Sequence, residues 1–275
     1  MMEIQKSILI LIIFLSHIFV DSVGAFINIK SENSDLTFKE VNTIFSGPSP
    51  VIKGSCLDYV LTKEHYRHPE TETISSNGWA ILSEIKFAQY LLVSFAGKLE
   101  WGTSGSCRIS SSSIAVFQNG LLEGVISSKK PESSVIGFLQ LMDGGFVRIN
   151  SGEWLQKPVF DIKLDRYELT VQEVSSYTSY CNGRSIIPNV YGLAINQSRD
   201  ELFKLGFKRK VTAHLSPSYG RDYFKTDGIV EFEWCSATGF GFCKFNYSNN
   251  YSNVSLITAG EDRYPAVVDI HVSCK

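Results

Sequence analysis

Apolar residues in this chain fall mostly at alternate positions within short runs, the pattern of strands that bury one face of a sheet. Ser113 to Ile126 holds two such runs around Asn119-Gly120, a dipeptide that fits the tight turn of a hairpin. Val135 to Ile149 repeats the arrangement around Asp143-Gly144, and Thr226-Asp227-Gly228 opens the run Ile229 to Trp234. Turns this short join antiparallel strands, because parallel neighbours need a long crossover. Phe87 to Phe95 is apolar almost throughout and predicts a buried strand. Further strands are expected over Tyr167 to Val174, Val190 to Ile195, Val211 to Leu215, Phe242 to Tyr247, Val254 to Thr258 and Ala266 to Val272. The serines at 110–113 read as a loop or strand edge.

Two segments follow a helical period instead. Leu36, Val41, Ile44 and Phe45 are spaced for one face of a helix over Ser34 to Phe45, with Ser34 as cap and Gly47, Pro48 and Pro50 as stop. Near residue 198, Ser198 and Glu201 form a capping box; Leu202, Phe203 and Leu205 would face inward, and Gly206 would end the helix. The expected fold class is therefore mainly β (α+β): antiparallel sheets with one or two short helices. A soft boundary near residue 165 divides it into a β-rich domain, 26–165, and an α+β domain, 166–275.

The first 25 residues differ from the rest. Lys6 precedes the apolar run Ile8 to Val20, and Val23-Gly24-Ala25 places small or β-branched residues at the expected cleavage point after Ala25. This reads as a secretory signal. The run is shorter than the roughly 20 residues of a membrane-spanning helix, and no later segment approaches that length. Export gives the six cysteines a meaning, since an even number in an oxidising compartment implies disulfides. Cys235 and Cys243 flank a Gly-rich turn and are placed to face each other across a hairpin. Cys56 and Cys107 are the only cysteines before residue 180. In a two-domain chain they pair together, leaving Cys181 for Cys274. The C-x2-C spacing of cysteine-rich zinc sites is absent, so no metal or other cofactor is expected.

Residues 190–275 place the string Ile195-Asn196-Gln197-Ser198-Arg199-Asp200-Glu201-Leu202-Phe203-Lys204-Leu205-Gly206-Phe207 ahead of consecutive strands. This stretch resembles the helix-plus-sheet unit of β-lactamase inhibitor proteins and small outer-membrane assembly lipoproteins. The resemblance implies binding to a partner protein through the open face of the sheet, without catalysis.

Candidate chemistry is sparse. Net charge is −2, with 20% charged residues, which argues against nucleic acid because phosphate binding needs clustered cations. The basic run Lys204 to Lys210 is short and suits a helix end. No G-x-S-x-G elbow occurs; the nearest string, Gly102-Thr103-Ser104-Gly105, reads as a loop before Cys107. Glu64, His65, His68 and Glu70 cluster in sequence, but Pro69 opposes a helix through them and the H-E-x-x-H order is missing. His214 and His271 sit in expected strands as lone histidines. Glu231 and Glu233 alternate with Ile229, Phe232 and Trp234, which would place both carboxylates on one strand face, ~7 Å apart. That is an acid/base arrangement for a hydrolase, or simply a solvated face.

Aromatic residues supply the other candidates: Trp79, Trp101, Trp154, Trp234, Tyr219, Tyr223, Tyr247 and Tyr251. Tyr and Trp concentrate at interface hot spots, and Tyr247 and Tyr251, in a polar stretch, are expected to be exposed for binding. Asn196, Asn246, Asn250 and Asn253 each start an N-x-[ST] sequon. They fit a polar turn in a bacterial protein, with a eukaryotic glycoprotein left open. The expected function is a secreted or periplasmic protein-binding module of inhibitor or immunity type, non-catalytic, whose partner is another protein. The alternatives are an extracytoplasmic hydrolase, with Glu231 and Glu233 or a His/Asp pair in acid/base roles, and a secreted host-interaction factor.

Overall fold

The computed structural model describes residues 26–29, 35–103, 105–166, 168–211, 223–236 and 239–275. The export segment at 1–25, Ser34, Ser104, Tyr167, His214, Tyr219 and all but the first residue of the strand expected from Val211 lie outside them.

The first half runs β1 (Phe26–Ile29), β2 (Leu36–Glu40), α1 (Pro69–Ser76), β3 (Ala80–Phe87), β4 (Tyr90–Trp101), β5 (Cys107–Gln118), β6 (Leu121–Ser128), β7 (Leu139–Met142), β8 (Phe146–Asn150), β9 (Pro158–Asp165) and β10 (Glu168–Glu173). The second half holds β11 (Tyr177–Tyr180), β12 (Ser185–Pro188), α2 (Ile195–Lys204), β13 (Lys208–Arg209), α3 (Tyr223–Thr226), β14 (Phe232–Cys235), β15 (Cys243–Ser248), β16 (Ser252–Ala259) and β17 (Ala266–Cys274). The fold is mainly β with short helices, and among the described residues its strand pairings are antiparallel except for β1 on β10.

Two five-stranded sheets, ordered β2-β6-β5-β4-β3 and β1-β10-β9-β8-β7, pack face to face. Leu92, Ile114 and Ile126 from the first meet Val147, Ile162 and Val171 from the second in one core. The first sheet is buried on its other face too. Leu91, Val93 and Phe95 pack there under Ile74 of α1, with Val41, Ile44 and Trp79. A sheet covered on both sides reads as a continuous apolar run rather than an alternating one. That is why Phe87 to Phe95 looked like a single strand; the chain in fact reverses at Ala88-Gln89 between β3 and β4. The serines at 110–113 lie inside β5, not at an edge. Ser112 Oγ donates to the Ile136 carbonyl, as Ser94 Oγ of β4 does to Gly137, satisfying buried hydroxyls between the sheets.

The helix expected at 34–45 is instead β2 followed by a loop. Leu36 and Phe38 enter the sandwich core, while Val41 and Ile44 cross to the opposite face of the same sheet. Apolar residues serving two cores mimic one helical stripe. Conversely, Pro69 starts α1, where its missing N–H costs nothing.

In the second half, β13-β15-β16-β17 form a sheet with β14 paired to β15. Helix α2 packs on one face. Leu202, Phe245, Leu256 and Val267 share that core. Residues 190–194 form a turn and bridge rather than a strand. Ser198 is not the cap: Ala194 is, and Ser198 Oγ bonds back to the Ala194 carbonyl at 3.0 Å. Gly206, with φ +79°, closes the helix as expected through bonds from Gly206 N–H to Phe203 and Phe207 N–H to Leu202. Leu205, expected inward, is exposed. Disulfides join Cys56–Cys107, Cys181–Cys274 and Cys235–Cys243.

Candidate functional site

The two halves meet on the outer face of the β7–β10 side of the sandwich. Arg148 on β8 and Asp161 on β9 are cross-strand partners there. Arg148 donates from Nε to Asp161 Oδ1 at 2.9 Å and from Nη2 to Oδ2 at 3.1 Å. The same Nη2 bonds Thr178 of β11 at 3.0 Å, and Asp143 accepts from the Cys181 N–H. Cys181 is tied in turn to the last strand by the bond to Cys274. This end of the junction is closed.

The other end is open and forms a cleft of about 560 Å³. One wall carries Gln140 of β7, Asn150 of β8, and Trp154 and Gln156 from the loop before β9. The opposite wall carries Trp234 of β14, Ile257 of β16, and Asp269 and His271 of β17. Phe240 and Phe242 enter from the hairpin that Cys235–Cys243 closes. Trp154 rests on Gly102, where a Cβ would stand 2.6 Å from the indole. So the glycine in Gly102-Thr103-Ser104-Gly105 has a packing role, and the loop before Cys107 supports a cleft wall.

The polar groups of the cleft are unevenly engaged. Asp269 Oδ1 accepts from the Ile270 N–H at 2.8 Å and the Tyr191 hydroxyl at 3.4 Å, and Oδ2 lies 3.1 Å from His271 Nε2. Burial, and then the Asp269 charge, push the Tyr191 phenol well above its ordinary pKa. Among the described residues, no hydrogen bond engages the carboxamides of Gln140, Asn150 or Gln156, nor the indole N–H of Trp154 or Trp234. The His271 and Asp269 side chains are 66% and 48% exposed, too wet for a strong pair. Ser255 faces His271 across the strands, but its hydroxyl donates to Asn246 Oδ1 at 2.7 Å. No nucleophile–base hydrogen bond is formed there. Among the described residues no group of three His, Cys, Asp or Glu side chains is set to hold a metal ion.

The structure separates Glu231 from Glu233. A register shift between Phe232 and Trp234 breaks the expected alternation. Glu231 turns into the core, fully buried, 3.0 Å from Arg199 Nε of α2 and 3.2 Å from the Tyr247 hydroxyl. Among the described residues its Oε2 has no donor. Glu233 takes partners from the opposite face of β15, Asn246 at 2.5 Å and Lys244 at 3.0 Å. Burial pushes the Glu233 carboxyl up, but the Asn246 and Lys244 hydrogen bonds outweigh it and hold the pKa below 4.5. The two carboxylates therefore do not share a substrate-facing surface.

Tyr247, expected to be exposed, is fully buried, because its parity on β15 matches Phe245 rather than Lys244. Tyr251 is 47% exposed, at the β15–β16 turn. His65 bonds Thr62 at 2.8 Å, and His68 lies at the start of α1. Asn246 is buried and Asn250 exposed among the sequons. Trp154, Trp234 and His271 were singled out one by one from sequence; the fold brings them together. Gln140, Asn150, Gln156, Phe240 and Phe242 carried no signal, since the residues meet only after the halves dock. No family model matches the chain, and no curated protein or solved structure matches it.

Proposed function

We propose that this is a non-catalytic, extracytoplasmic binding module that recognises another protein through the cleft and the adjoining outer face of the β13–β17 sheet. The observation that carries this reading is the cleft: aromatic rings and unengaged carboxamides face a preformed concavity held by rigid sheets. Ligand sites have this make-up, apolar walls with a few free polar groups. The three disulfides fit an oxidising compartment, and they lower the ordering cost of binding by fixing the walls beforehand. Residues 190–275 resemble inhibitor-type modules that bind through a sheet face, which points the same way. A hydrolytic reading draws little support from Glu231 and Glu233, each spent on its own ion pair.

The test is affinity capture from native extract with the oxidised protein, beside Trp154→Ala and Trp234→Ala variants and a panel of glycan and ester substrates. The expected result is one partner retained by the parent, lost by both variants, and no turnover. Turnover that Asp269→Asn or His271→Ala abolishes would overturn the reading.

A further inference from the structure

Resting on that reading of the cleft, we infer that its ligand is a neutral oligosaccharide, carried on the partner or free. Among the described residues the lining contains no lysine or arginine. An anionic ligand would need such groups to replace its water. The one carboxylate among the described lining residues, Asp269, shares its Oδ1 between the Ile270 N–H and the Tyr191 hydroxyl and has His271 beside its Oδ2. An extended peptide adds through main-chain bonds to a sheet edge, whereas the rings and carboxamides of this lining are side-chain groups from strands and loops.

What the cleft offers is flat ring surface beside neutral groups that both donate and accept. Trp154, Trp234, Tyr59, Tyr191, Phe240 and Phe242 line it, and Trp154 keeps 37% of its surface exposed. The negative face of an aromatic ring attracts weakly positive C–H groups, which a pyranose presents on its apolar side. Each carboxamide carries two N–H donors and an acceptor oxygen, the complement of a hydroxyl pair. Gln140, Asn150 and Gln156 are the unengaged amides. A space of about 560 Å³ accommodates a short saccharide rather than a single small solute.

The experiment titrates the oxidised protein with cellotetraose, chitotetraose and mannotetraose, read by tryptophan fluorescence and calorimetry. At least one probe should saturate below roughly 10 mM. Trp154→Ala and Gln140→Ala should each weaken that probe about tenfold. Trp101→Ala, on a tryptophan 63% exposed and outside the cleft, should leave it unchanged. Circular dichroism establishes that the variants are folded, and Gln140→Ala tests the idea even if loss of Trp154 disturbs its loop. No saturation by any probe, or full binding by both cleft variants, overturns the inference. A second arm treats the captured partner with glycosidases. Loss of capture assigns the sugar to the partner, and unchanged capture with saturable free saccharide assigns it to a soluble glycan. Cleft-dependent capture that survives deglycosylation, with no saccharide bound, rejects the sugar but leaves the binding module standing.

Discussion

The junction between the two halves has a closed end and an open end, built on the same sheet face a few residues apart. At the closed end Arg148 binds Asp161 and Thr178, and the Ser175 N–H adds a third hydrogen bond to Asp161 at 3.4 Å. At the open end Gln140, the cross-strand neighbour of Arg148, faces the cleft with no hydrogen-bond partner among the described residues. Buried polar groups are kept only where they are bonded, because an orphan costs about 1–3 kcal/mol. Amides without a protein partner are tolerable where they stay exposed to water, as Gln140 does. The difference teaches that one end ties the halves together while the other leaves its polar groups to solvent.

Breaking the closed end should have the largest effect. Asp161→Ala leaves Arg148 buried without its anion and should cost roughly 3–5 kcal/mol in urea unfolding. Replacing both, Arg148→Met with Asp161→Leu, should cost much less, since no bare charge remains. Next comes Cys181→Ser with Cys274→Ser, which frees the last strand. A loss of roughly 2–4 kcal/mol is expected, with β17 exchanging its amide hydrogens first. At the open end Gly102→Ala drives a methyl toward Trp154 and should cost about 1–3 kcal/mol, with a shifted tryptophan emission. The smallest effect concerns Glu233. Its folded pKa is lowered, so it stabilises above its ordinary value of 4.5 and the contribution is lost as pH falls through the folded value. Glu233→Gln should remove roughly 0.2–1 kcal/mol at neutral pH, and nothing once the carboxyl is protonated. Equal losses at both pH values would show that packing, not charge, sets the effect.

How much of this was legible follows the range of each interaction. The turn at Asn119-Gly120 and the αL stop at Gly206 need only local chemistry, and both stand where the residues placed them. The disulfide pairs were readable because few arrangements suit a two-part chain. The 34–45 segment misled because its apolar residues feed two cores, which no single period encodes. Glu231 misled because one extra residue in β14 changes which face a side chain takes. The cleft was least visible: Gln140 and Ile257 lie far apart in sequence and meet only through docking of the halves.

The most direct test of the central claim is hydrogen exchange on the protein with and without its captured partner. Protection should appear in peptides covering 138–142, 150–157, 239–243 and 268–272, the walls of the cleft. Protection confined to the α1 side of the sandwich, around residues 41–77, would contradict it.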